Sequence, residues 1–140
     1  MHRLIAKQIQ PDGHQPFELV RTNSWNYSLF NLQGLFKLAS IGQHVRIDLW
    51  GYKTQGGTGI ELQTALDYLV PYALTKTQTI SWPYHQIAPI DTKGLVDLLC
   101  QVAIHYPKNN QLYIQAYKSV NTNIDAGTNI ENLLCSSHLS

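Results

Sequence analysis

Apolar positions along the chain recur mostly at intervals of three and four. Leu4, Ile5 and Ile9 start this pattern, which Pro11-Asp12-Gly13 stops. A polar connection runs to Asn23. Leu29, Phe30, Leu32, Leu35, Phe36, Leu38, Ala39 and Ile41 then give a broad apolar face. The spacing predicts a helix over 24–41, capped by Asn23 or Ser24 and stopped by Gly42. After a long loop, Thr58 and Glu61 form a capping-box pair. They open a helix on Ile60, Ala65, Leu66, Leu69 and Val70 that Pro71 disturbs near its end. A second long loop over 76–91 leads to Asp91 or Thr92 as the cap of a helix on Leu95, Val96, Leu98, Leu99, Val102, Ala103 and Ile104. Pro107 to Asn110 make a turn. A last helix covers 111–120 through Leu112, Ile114, Ala116 and Tyr117. The tail from Asn121 is polar, with Ile130, Leu133 and Leu134 available to dock back.

Sustained alternation of period two is missing, so the pattern predicts an all-α chain. Its long and short connections fit antiparallel helix pairs stacked side by side, as in toroids and solenoids. At 140 residues the chain holds one domain at most, and 44% apolar residues suit a globular fold. Ten basic against nine acidic residues form no basic stripe, which argues against a nucleic-acid partner. No apolar run is long enough to span a membrane, and the first residues lack the apolar core of a signal peptide. As written, the chain is expected to stay in the cytoplasm. Cys100 and Cys135 have no metal-ligand spacing, and the residues leave open whether they pair.

Chemistry concentrates in the stretch QPFELVRTNSWNYSLFNLQGLF, residues 15–36. It presents Arg21 and Tyr27 at the mouth of a helix. A guanidinium beside a phenol favours the phenolate, and such a tyrosine can take a proton and later return it. That pair suits β-elimination on a uronic acid. There, a cation must neutralise the C6 carboxylate before the C5 proton can leave. The competing reading pairs Arg21 with Glu18, three residues back, and leaves Tyr27 to pack.

The series ELVRTNSWNYSLFNL, VRIDLWGY, ALDYLVPYA and WPYHQI, taken in order, resembles the alginate lyase domain family. The resemblance extends from Ile9 to about Tyr117. It implies an (α/α) toroid, a metal-free and cofactor-free β-elimination on alginate or a glucuronan-like polyuronate, and a periplasmic setting for full-length members. It also implies Arg21 as carboxylate neutraliser and Tyr27 as both base and acid. The family's Asn-His pair has no counterpart, since none of the six histidines follows an asparagine pair. The chain therefore resembles the C-terminal part of such a domain over 1–120, with a loosely structured tail over 121–140. An incomplete toroid is expected to self-associate through an exposed apolar edge.

Arg46, Trp50 and Tyr52 in one long loop, and Trp82, Tyr84 and His85 in the other, are candidate substrate-binding residues, because flat rings stack on sugars. His14 near Asp12 is too few side chains for a metal site. Two rival functions remain. One is a glycoside hydrolase, which needs two opposed carboxylic acids from among Asp48, Glu61 and Asp67. The other is a non-catalytic helical module that binds an acidic polysaccharide or a partner protein.

Overall fold

The computed structural model describes residues 2–53, 61–74, 81–90, 92–106, 108 and 110–120. Among these residues six helices follow one another: α1 (His2–Gln8), α2 (Pro16–Leu19), α3 (Ser24–His44), α4 (Glu61–Ala73), α5 (Leu95–His105) and α6 (Asn110–Val120). Among the described residues there is no strand, only one isolated antiparallel bridge between Asn23 and Gln86. The all-α prediction holds.

α3 is the central element and packs against α2, α4 and α5, while α4 and α5 both reach α6. Trp25, Leu32, Phe36 and Ala39 of α3 are fully buried, together with Leu62, Ala65, Leu66 and Val70 of α4 and Leu95 and Val102 of α5. Each large side chain so buried contributes roughly 1.5–3 kcal/mol relative to exposure. α6 closes the group through Tyr113, whose hydroxyl donates to Asp67 Oδ1 (2.8 Å) and accepts from Gln63 Nε2 (3.1 Å). Pro71 falls in the last turn of α4 and does not end it. The Glu61 N–H bonds the Tyr52 carbonyl. Thr58, its expected capping partner, lies outside the described residues.

Several boundaries differ from the pattern's prediction, each for a local reason. Residues 16–19 form a short helix where only a polar connection was expected. Pro16 at its first position suits a helix start. Gly42 does not stop α3. The helix continues to His44 and ends with Arg46 in the left-handed region (φ 59°). There the Arg46 N–H bonds Gln43 O, and the Ile47 N–H bonds Gly42 O. This pair of bonds is the Schellman closure, made here with arginine in the place glycine usually takes. Gly42 is needed for space, because a Cβ would lie 2.8 Å from Ile47 O. The α5 N-cap is Gly94 rather than Thr92, and Asp91 is outside the described residues, as are Cys135 and the tail. Gly13 has φ +93° and lies so close to α4 that a Cβ would meet Thr64 O. The turn after α1 is therefore pressed against α4.

Candidate active site

Arg21 and Tyr27 come together. α2 ends at Leu19, the Arg21 N–H bonds Glu18 O, and the chain turns through Thr22 and Asn23 into α3, which puts Tyr27 in its first turn. The Arg21 guanidinium carbon lies 3.6 Å from the centre of the Tyr27 ring, a cation–π stack. Arg21 also stands 3.6 Å from a Glu18 carboxylate oxygen, with the Arg21 side chain half exposed. That distance is too long for a hydrogen bond and makes a weak ion pair. The pairing with Glu18 and the approach to Tyr27 therefore coexist. A guanidinium with five N–H donors can meet a ring and still offer N–H groups to other partners.

These residues line a groove of about 580 Å³ between α1, α2 and α3, with Gln8, Phe30, Asn31, Gly34, Leu35 and Leu38 as its other walls. Asn31 and Gly34 follow Tyr27 at helical spacing, on the same side of α3. Asn31 is held by the buried Gln15, which accepts from Asn31 Nδ2 (2.8 Å) and donates to Ser28 O (3.0 Å). Gln8 Oε1 has no hydrogen-bond partner among the described residues. The groove thus combines a cation, a phenol and two side-chain amides with an apolar floor. Asn31 was not singled out from the sequence, although its place one helical turn after Tyr27 is the signal that could have marked it. Gln8 carried no local signal.

The six residues expected to bind substrate do not line this groove. Trp50 is 4% exposed, stacked on His105 (3.9 Å, 11°) and meeting Phe36 and Tyr106 edge-on, so its ring has no free face for a sugar. Its carbonyl accepts from the Tyr106 hydroxyl (2.6 Å). Burial lowers the His105 pKa, which the Asp48 carboxylate partly offsets. Arg46 is exposed and closes α3. Tyr52 is half buried against the core. Trp82 is half buried, edge-on to Trp25, Tyr72 and Tyr84, and its Nε1 donates to Ser24 Oγ (2.8 Å). The Tyr84 hydroxyl pairs with that of Tyr68 (2.7 Å), and His85 is exposed. Burial and the Tyr84 hydrogen bond push the Tyr68 phenol well above its ordinary value.

Tyr68 and Tyr72 border a second cleft of about 370 Å³ with Asp12, Thr64, Asp67 and Pro71. Burial pulls the exposed Asp12 carboxyl up, but His14, in hydrogen-bond contact with it, holds it below the ordinary value. A third groove, about 550 Å³ between α3 and α5, is lined by Lys37, Gln43, His44, Asp97, Gln101 and His105 among others. Neither cleft sets a cation beside a phenol as the first does. Among the described residues, no group of three or more His, Cys, Asp or Glu is placed to hold a metal. No helix among them is long and apolar enough to cross a membrane.

The family model described as alginate lyase matches residues 1–80. Among solved structures, the chain is similar to the crystal structure of an alginate lyase from Bacteroides ovatus at 1.60 Å resolution. The TM-score is 0.64 and the identity 30%, over 81% of this chain and 31% of that one. The chain thus spans less than a third of that structure's length. None of the curated proteins compared with it matches.

Proposed function

The chain belongs to the alginate lyase family, and from that premise we propose that it carries the Arg21–Tyr27 half of a polyuronate lyase site. Its helices form part of the (α/α) toroid of the solved relative. The observation that carries the proposal is the guanidinium of Arg21 stacked 3.6 Å over the Tyr27 ring inside an open groove.

In this reading the N–H edge of Arg21 receives the C6 carboxylate of a uronate and stabilises the charge that builds on it as the C5 proton leaves. The Tyr27 phenolate takes that proton. The electron pair of the C5–H bond becomes the C4–C5 double bond, the C4–O4 bond breaks, and Tyr27 returns its proton to O4. One phenol serves both transfers when both occur on one face of the sugar. Asn31, which lines the same groove one turn after Tyr27, is the side-chain amide we assign to the sugar's hydroxyls. The polymer would be alginate or a related polyuronate. The substrate-binding roles of Arg46, Tyr52, Tyr84 and His85 would then belong to sugar residues outside the groove.

The test is the ultraviolet absorbance of the unsaturated uronate, measured on alginate, polymannuronate, polyguluronate and glucuronan. Growth of absorbance on one polymer, with a fall of at least a hundredfold in Tyr27→Phe, is expected, on the order of what a positioned acid–base group contributes. Equal rates in Tyr27→Phe would overturn the assignment. A second reading is favoured by the groove's lining, which offers a cation and a phenol but no histidine among the described residues. In it the groove binds an acidic polysaccharide without cleaving it. Binding that survives Tyr27→Phe, with no absorbance on any polymer, is its signature.

A further inference from the structure

A helix beginning in mid-chain leaves its first N–H groups without intrahelical partners, and a polar side chain at the N-cap ordinarily supplies one. Asn23 is the N-cap of α3, yet its side chain makes no cap bond. Its Oδ1 instead accepts from the Ala88 N–H (2.9 Å). The cap comes from far along the chain. Gln86 Oε1 accepts from the Trp25 N–H (3.0 Å), across 61 residues of sequence, and the His85 carbonyl accepts from the Ser24 N–H (3.1 Å). Gln86 Nε2 donates to Asn26 Oδ1 (3.0 Å) and to Ala88 O (2.9 Å). The Ser24 hydroxyl donates to His85 O (2.7 Å), and the Ile87 N–H bonds Thr22 O (3.1 Å).

Every residue from Thr22 to Asn26 is thus tied, by backbone or side chain, to the segment 82–88. These five residues are the link between Arg21 and Tyr27. We infer that Gln86 is a positioning residue for that pair: as a remote cap on α3 it fixes the helix start that carries Tyr27 and the turn that brings Arg21 over its ring. The inference rests on the proposed role of the pair, but the geometry it describes can be read without catalysis.

The experiment is nuclear magnetic resonance on the full chain. Protons of the Arg21 side chain lie above the Tyr27 ring and carry a ring-current shift, and exchange of the Trp25 amide reports the cap. Gln86→Met keeps the shape and removes all three side-chain hydrogen bonds. It is expected to abolish the Arg21 shift and speed Trp25 exchange about tenfold, with the Leu66 and Val70 methyls unmoved. Gln86→Glu keeps an acceptor for the Trp25 N–H at the positive end of the helix and is expected to retain both signals. Wild-type shift and exchange in Gln86→Met would overturn the inference, as would their loss in a folded Gln86→Glu. A chain that cleaves no polymer but behaves this way would remove the lyase reading and leave the positioning role intact.

Discussion

At the scale of single residues, Arg46 and Asp67 show how position reassigns a side chain. Arg46 is charged, lies in a loop and invites a reading as a sugar ligand, but its backbone closes α3 in the left-handed region. A residue with a Cβ costs roughly 1–2 kcal/mol there. Arg46→Gly is therefore expected to stabilise the fold by about 1 kcal/mol, less than the full strain because glycine also loosens the unfolded chain. Thermal unfolding would show a rise in Tm, and an unchanged or lower Tm would refute the strain argument. Asp67 faces the opposite problem. Burial raises its pKa, and the hydrogen bond from Tyr113 only partly offsets this. A carboxyl whose folded pKa exceeds its ordinary 3.8 stabilises the fold below that value, and the contribution is lost as pH rises through the folded pKa. At neutral pH the charged form is a burden. Asp67→Asn keeps an acceptor for Tyr113 and is expected to raise Tm at pH 7, with the gain vanishing below about pH 3.8. A gain that did not depend on pH would point to packing instead.

Among the elements, the helices with strong apolar periodicity were the legible ones. α3, α4, α5 and α6 follow from runs such as Leu29–Leu32–Phe36 and Leu95–Leu98–Val102, because burial of one face is a property of local sequence. α2 was hidden, since four residues cannot display a period, and only Pro16 marks its start. Helix ends were read less well. Gly42 looked like a stop, but its smallness serves contact with Ile47 O, and the stop falls four residues later. Of the site, the Arg21–Tyr27 pair was visible because both residues sit in one short segment. The strap over 82–88 was visible only as aromatic loop chemistry. Trp82 and Tyr84 look like sugar platforms in sequence, whereas their rings pack on Trp25, Tyr68 and Tyr72. No local pattern announces that Gln86 caps a helix 61 residues away. Hydrogen bonds of that range depend on the fold being in place first.

For the whole molecule the outstanding feature is one side of α3. Phe30 (74% exposed), Ile41 (54%) and Val45 (63%) share it with the half-buried Leu38, beside Phe17 (62%) and Val20 (83%) from α2 and the bend after it. Gly34 lies among them with nothing within 4 Å of where a Cβ would stand. A mid-helix glycine costs about 1 kcal/mol against alanine, and no contact among the described residues accounts for it. The spacing of Phe30, Gly34, Leu38, Ile41 and Val45 is nearly the same read in either direction. An antiparallel α3–α3 pairing would set Leu38 against its mate, Ile41 into the notch at Gly34, and Phe30 against Val45, as a two-fold contact requires. The exposed edge is thus expected to be covered by a second copy of this chain, which would occupy the end of the Arg21–Tyr27 groove that Phe30, Gly34 and Leu38 line. Sedimentation equilibrium on the full chain is expected to give a dimer. Phe30→Glu with Ile41→Glu is expected to give a monomer of unchanged helicity. Gly34→Leu separates shape from charge, because it fills the notch without strain and improves the helix. It should raise the stability of the monomer while abolishing the dimer. A wild-type chain that stays monomeric at high concentration, or a Gly34→Leu chain that still pairs, would mean that α3 does not recognise its own copy.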